Sequence, residues 1–159
     1  ICLYLTSGGH EPGPENSPRD WQVSFWRNGQ WHTRKITISD HNYDMGSLWI
    51  EGRIWRVVAP TMNGPQLHGG GGEIEQWVSL DEGETWMLSR RISPRSRTNH
   101  NYIRKVQGGQ GPFTFFWADG NPDRFSRSKL YFADQEGQMW QMPYRMRKTW
   151  AKPKKLKRP

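Results

Sequence analysis

Three tight hairpins, each ending at a tryptophan, recur along the chain and constrain its fold more than any other feature. They end at Trp31, Trp86 and Trp140, which are 55 and 54 residues apart. A second repeat joins residues 40–43 and 99–102, which read Asp-His-Asn-Tyr and Asn-His-Asn-Tyr. A period of this length is typical of a repeated four-stranded unit. The sequence therefore predicts a protein built from successive small antiparallel sheets.

Short strands account for most of the chain. Apolar and polar residues alternate in segments separated by Gly, Pro, Asn and Asp, and no convincing segment has a helical period. Ten Trp, seventeen Gly and eleven Pro fit strands with large side chains joined by turns. We expect strands near residues 1–7, 21–27, 31–37, 47–51, 54–60, 74–79, 86–92, 101–106, 112–118, 128–133 and 139–143.

The fold class predicted by these patterns is all-β, with about three four-stranded antiparallel blades of a β-propeller. The blades are expected at residues 1–37, 41–93 and 99–144, as a partial propeller over residues 1–144. Closed propellers hold about four to eight blades. Residues 1–5 look like an interior strand and have no features of a signal peptide. We therefore expect the missing blades in an upstream part of a longer protein.

The net charge of +8 is concentrated at the C-terminal end. Residues 145–159 hold eight Lys or Arg and no acid, whereas the preceding 144 residues hold 15 basic and 15 acidic groups. Such a segment could bind nucleic acid or another polyanion by counterion release. We favour the alternative of a solvated, disordered tail, and expect no nucleic acid partner.

Two function classes are excluded by composition. The single Cys2 excludes an intrachain disulfide and a cysteine-rich zinc site. The longest apolar runs are far shorter than the roughly 20 residues of a transmembrane helix, so no membrane partner is expected.

Residues 79–86 read Ser-Leu-Asp-Glu-Gly-Glu-Thr-Trp and match the Asp box, S-x-D-x-G-x-T-W, at every defined position. Asp81 is expected to accept backbone N–H bonds within the turn, Gly83 to adopt a positive φ, and Trp86 to pack between sheets. These roles are structural. The motif therefore identifies the fold, and Asp81 is not a candidate for catalysis.

The stretch from residue 10 to residue 144 resembles the Asp-box (BNR-type, sialidase-like) propeller proteins of bacterial polysaccharide-degrading systems. The segments at residues 39–48 and 117–122 carry most of this resemblance. Its relatives include seven-bladed ulvan lyases, which cleave uronate-containing polysaccharides by β-elimination, with His and Tyr as acid/base groups and Arg as neutraliser. The resemblance thus implies a polysaccharide lyase with an anionic polysaccharide as partner, secreted or periplasmic.

Alternate connections of a propeller emerge on one face, and here they carry four of the five histidines. They are residues 8–20, 38–46, 61–73, 93–102 and 119–127. β-Elimination needs a base, an acid and a cation for the uronate carboxylate. The candidate catalytic residues are His41, His100, Tyr43 and Tyr102. The candidate substrate-binding residues are Arg104, Arg124, Arg127, His10, His68, Asn42 and Asn101.

Several alternatives stay open. A sialidase-like glycoside hydrolase shares the Asp box and would draw on Glu11, Glu73 or Glu75. A non-catalytic glycan-binding or protein-binding propeller is the third class. The glycine run at residues 69–72 either makes room for a ligand or forms a flexible loop tip. No cofactor is expected, since a zinc or calcium site could form only from residues distant in sequence.

Overall fold

The computed structural model describes residues 1–41 and 44–157. Within them the chain forms β-strands and two short 3₁₀ turns, at Pro14–Asn16 and Gly111–Phe113. The strands are β1 (Cys2–Thr6), β2 (Arg19–Arg27), β3 (Gln30–Ser39), β4 (Ser47–Glu51), β5 (Ile54–Met62), β6 (Glu73–Ser79), β7 (Met87–Arg91), β8 (Asn99–Lys105), β9 (Phe115–Gly120), β10 (Leu130–Ala133), β11 (Met139–Gln141) and β12 (Lys154–Lys155). None of the described residues lies in a helix long and apolar enough to cross a membrane.

The strands form three antiparallel sheets, in each of which every strand pairs with the next one along the chain. The first sheet is β1-β2-β3, the second β4-β5-β6-β7 and the third β8-β9-β10-β11-β12. The all-β prediction is confirmed. The eleven expected strands correspond to sheets of three, four and four strands, and the third sheet has β12 as a fifth. The identity of the sheets as propeller blades stays a prediction.

The three sheets stack through two apolar layers, with the second sheet in the middle. Val57 and Val58 are neighbours in β5, yet Val57 is buried in the layer shared with the first sheet and Val58 in the layer shared with the third. This follows from the alternation of side chains along a strand. The first layer is centred on Trp21, Val23, Phe25, Ile36, Trp55, Val57 and Ala59. The second layer is centred on Trp49, Val58, Ile74, Ile92, Ile103, Phe115, Trp117, Tyr131 and Ala133.

The turn at residues 79–86 has the local geometry expected from its sequence. Asp81 accepts hydrogen bonds from the backbone N–H of Thr85 at 2.9 Å and from its hydroxyl at 2.6 Å. These bonds, with a further one from Ser79, lower the pKa of Asp81 to about 2. Gly83 has a φ of +89°, and Trp86 packs against the layer between the first and second sheets. The carboxylate is thus occupied within the turn.

The C-terminal segment differs from the expected disordered tail over part of its length. Strand β12 pairs with β11, placing Lys155 opposite Trp140. The backbone N–H of Leu156 donates to the carbonyl of Met139 at 2.9 Å, and its side chain packs against the second apolar layer. Leu156 is apolar within a basic run, so its burial can hold the segment against the otherwise unpaired edge of β11.

Candidate functional site

The connections predicted to share one face lie together in the structure, and we call this surface the rim. The backbone N–H of His68 donates to Oδ2 of Asp40 at 3.1 Å, which joins residues 61–73 to residues 38–46. Pro12, in residues 8–20, lines a cleft together with His68 and Pro122. The antiparallel strand order therefore gathers side chains that are far apart in sequence.

Asn99 ties the glycine run to the start of β8. This buried side chain donates from Nδ2 to the carbonyls of Gln66, at 2.9 Å, and Gly71, at 3.1 Å. Its Oδ1 accepts the backbone N–H of Gln66 at 3.1 Å. The run itself is anchored by two backbone hydrogen bonds between Gly72 and His100, at 2.9 and 2.8 Å.

The absence of side chains in the run lets the chain pass between two histidines. A Cβ on Gly72 would overlap the carbonyl oxygen of Met62 and lie 2.8 Å from Cε1 of His41. Gly71 has a φ of +83°, and a Cβ there would lie 2.6 Å from the carbonyl oxygen of His100. Both glycines are thus required by close packing, a role that differs from both of those expected for the run.

His41 lies between two carboxylates, with its side chain only 1% exposed. Its Nδ1 is 2.6 Å from Oδ1 of Asp40, and its Nε2 is 2.7 Å from the carbonyl oxygen of Pro60 and 2.9 Å from Oδ2 of Asp44. Burial disfavours the charged ring, but the hydrogen bonds to both carboxylates outweigh it and raise the pKa of His41 to about 9. Near neutral pH both nitrogens carry protons, so His41 has no lone pair with which to act as a base.

His100 is buried as well, but in the opposite protonation state. The indole of Trp117 donates to its Nδ1 at 2.7 Å, which leaves Nε2 protonated and 2.7 Å from the hydroxyl of Ser96. The hydroxyl of Ser96 donates in turn to Glu73 at 2.8 Å. Burial lowers the pKa of His100 to about 4, against the raising effect of Asp119. Both nitrogens are occupied by protein groups, which gives His100 a positioning role beneath the rim.

Tyr102 is exposed and lines a cleft of about 400 Å³. Its φ is +61°, a conformation that costs a residue with a Cβ roughly 1–2 kcal/mol and that recurs at functional sites as well as in turns. Asn101, Asp119 and Asn121 line the same cleft. Asp119 is oriented by hydrogen bonds from the hydroxyl of Tyr131, at 2.8 Å, and from the backbone N–H of Lys129, at 2.6 Å.

His68 lines a neighbouring cleft of about 410 Å³ and also has a φ of +61°. Its Nδ1 lies 3.1 Å from the carbonyl oxygen of Asp40, which can only accept a hydrogen bond. Nδ1 therefore carries a proton, which leaves Nε2 as the ring nitrogen that can exchange a proton with a ligand. Because the two clefts share Gly70 and Pro122, they form one surface feature, which we call the rim groove.

The predicted arginines separate in the structure. Arg124 is exposed and lines a third cleft, of about 590 Å³, which shares Asn121 and Pro122 with the cleft of Tyr102. The guanidinium of Arg127 lies over the ring of Tyr144 at 5.2 Å. Arg104 is exposed in β8 and does not line these three clefts.

The remaining predicted residues fall into two groups. His10 is exposed on the first rim connection, with its Nε2 3.9 Å from a carboxylate oxygen of Glu11. Asn42 and Tyr43 lie outside the described residues. Among the residues that are described, no group of three or more His, Cys, Asp or Glu could hold a metal ion.

Two of the carboxylates considered for a hydrolase are committed to structural contacts. Glu73 is buried and accepts hydrogen bonds from the hydroxyls of Ser93 and Ser96 at 2.9 and 2.8 Å. Glu75 is buried too, and accepts from the hydroxyl of Thr61 at 2.7 Å. Neither is arranged as an accessible acid or nucleophile.

Asp119 and Asn121 were not selected from the sequence as site residues. The available signal was their position in and directly after β9, where a strand enters a rim connection. Comparison of the chain with protein-family models, curated proteins and solved structures gave no match.

Proposed function

We propose that this chain is part of a β-propeller that acts on an anionic polysaccharide, with the polymer bound along the rim groove. The observation that carries the proposal is the pairing of His68 with Tyr102 on one groove. One supplies a ring nitrogen that is not engaged by the carbonyl of Asp40, and the other an accessible phenol, both on backbone with a positive φ. The three sheets stack on one another, each strand pairs with the next along the chain, and alternate connections lie on one side. This arrangement supports the propeller.

The chemistry we propose is β-elimination at a uronate. His68 removes the C5 proton through Nε2, and Tyr102 donates its phenolic proton to the leaving glycosidic oxygen. Arg124, on the adjoining cleft, pairs with the C6 carboxylate and offsets the charge that develops there. The backbone of His100 holds Gly72 in place, and His41 is paired with Asp44, which accepts a hydrogen bond from the N–H of Gly71. The same proposal assigns the protein to the secreted or periplasmic compartment, where such polymers occur.

The experiment incubates the full chain with a panel of uronate polysaccharides and follows the near-ultraviolet absorbance of the unsaturated product. We expect turnover by the unmodified chain and a loss of roughly 100-fold or more in His68→Ala and in Tyr102→Phe, the usual contribution of a general base or acid. His32→Ala is the matched control, because His32 lies in β3, away from the groove.

Two outcomes would overturn the lyase assignment. New reducing ends without an unsaturated product would indicate a hydrolase. Tight polysaccharide binding with no turnover, lost equally in both groove variants, would indicate a binding module.

A further inference from the structure

The C-terminal connection lies on the same side of the molecule as the rim. Strand β10 leaves the rim after residues 119–129, so its antiparallel neighbour β11 runs back towards the rim. Residues 142–153 join β11 to β12 and therefore begin and end on that side. The contact of Arg127 with Tyr144 links this connection directly to the rim connection of Arg124.

The charge of this connection has one sign. From Gly137 to the C-terminus the sequence contains no acidic residue, and residues 142–153 hold Arg145, Arg147, Lys148 and Lys152. Within the described residues, these four cations have no carboxylate partner among the ion pairs. A cluster of unpaired cations attracts a polyanion and gains affinity by counterion release.

Aromatic rings are interleaved with these cations. The ammonium of Lys148 lies 5.3 Å from the ring centre of Trp150, and Tyr144 and Trp150 are both exposed. Cation–π contacts of this kind hold the cationic side chains near the rings. Exposed rings also offer flat apolar surfaces, on which the apolar face of a sugar can stack.

The segment is held in place at its far end. Besides the β12 pairing, Nε2 of Gln138 donates to the carbonyl of Leu156 at 2.7 Å. Lysines on an edge strand also discourage pairing with another chain, which accounts for Lys154 and Lys155. It does not account for the cations of residues 142–153, which precede the strand.

We infer that residues 142–153 form a second binding surface for an anionic polysaccharide, which extends the rim groove beyond Arg124. This inference rests on the proposed function, since it assigns the same class of polymer to both surfaces. It gives the basic segment a partner, where the sequence predicted a solvated tail.

The test compares the double variant Arg145→Gln/Arg147→Gln with a control, Arg53→Gln/Lys105→Gln. The control removes two exposed cations from the side of the sheets opposite the rim. Binding of the full chains to polygalacturonate, neutral dextran and a 20-base-pair DNA duplex is measured over a range of salt concentrations. We expect the first variant to bind polygalacturonate about tenfold more weakly at low salt. We also expect its plot of log affinity against log salt to be less steep by about 2, whereas the control keeps the original slope.

The inference is overturned if the two double variants bind polygalacturonate equally, or if the duplex binds more tightly than polygalacturonate at the same ionic strength. The first result would leave the cations without a role in binding, and the second would indicate a nucleic acid partner. The proposed function fails separately. If no uronate polymer is ever cleaved but the Arg145/Arg147 variant still loses affinity, the lyase assignment falls and the second surface stands.

Discussion

The indole N–H of Trp117 donates a hydrogen bond to Nδ1 of His100 across 2.7 Å, between two buried side chains of neighbouring strands in the third sheet. The bond fixes the ring as the neutral Nε2–H tautomer, and Ser96 then connects it to Glu73. Protonation at Nδ1 would place its N–H directly against the indole N–H of Trp117, at a site where both side chains are buried. The buried contacts of His100 therefore favour its neutral state over the imidazolium.

Acid should destabilise the fold through His100. Its pKa in the folded chain is about 4, whereas an unfolded histidine titrates near 6.5. Between these values the unfolded chain binds more protons, so the free energy of unfolding falls as the pH decreases from about 6.5 towards 4. The whole difference corresponds to about 3 kcal/mol. Urea unfolding from pH 7 to pH 4.5 should show a shallower decline for His100→Gln than for the exposed control His10→Gln; equal declines would contradict this assignment.

Raising the pH should also destabilise the fold, through the loss of the proton from His41. Its folded pKa is raised to about 9, so its contribution is fully present below about pH 6.5 and is lost as the pH rises towards 9. The contribution is about 3 kcal/mol at most. In an NMR titration we expect one histidine resonance to titrate near pH 9 and to be missing from His41→Gln. If all histidine resonances of the unmodified chain titrate below pH 7.5, the imidazolium between Asp40 and Asp44 is disproved.

Asn99→Asp should detach the glycine run. The substitution keeps the shape of the side chain but replaces its amide donor with a carboxylate, among the carbonyls of Gln66 and the run. A buried group left without its hydrogen bonds costs about 1–3 kcal/mol, and more when it is charged. We expect a loss of about 3 kcal/mol in urea unfolding and faster proteolysis within residues 61–73. Asn63→Asp, at an exposed site in the same connection, should change the stability by less than about 0.5 kcal/mol.

Gly83→Ala should cost more than Gly52→Ala, although both glycines have a positive φ. A Cβ on Gly52 meets no atom within 4 Å, so only the backbone strain of roughly 1–2 kcal/mol applies. A Cβ on Gly83 would in addition overlap the ring of Trp55 in the first apolar layer. We expect a difference of about 2 kcal/mol between the two variants in thermal or urea unfolding. Equal destabilisation would mean that the turn moves away from Trp55 without cost.

The strands were predictable because their signals are local. Each of the eleven predicted segments overlaps an observed strand, with shifts of a few residues at the ends. For example, the strand expected at residues 112–118 begins at Phe115, because residues 111–113 form a 3₁₀ turn. The twelfth strand was missed, since its two lysines carry no apolar alternation and it depends on the exposed edge of β11.

The arrangement of the connections on one rim was predictable, but the states of their side chains were not. The strand order brought the expected connections together, but it did not give the two similar histidine segments similar roles. His41 is a cation between carboxylates, whereas His100 is neutral between an indole and a hydroxyl. The groups that make this difference include Pro60, which contacts His41, and Trp117, which contacts His100. Both are distant in sequence from the histidine that they contact, so the local sequence does not reveal them.

The sequence by itself determined the alternation that makes strands, the glycine and aspartate chemistry that makes the turns, and the side of the sheets on which the long connections emerge. These depend on neighbours within a few residues. Only the tertiary structure decided which imidazole is charged, which is neutral and which keeps a free nitrogen beside a groove. Desolvation and hydrogen bonding set those states, and both depend on atoms brought together from different sheets.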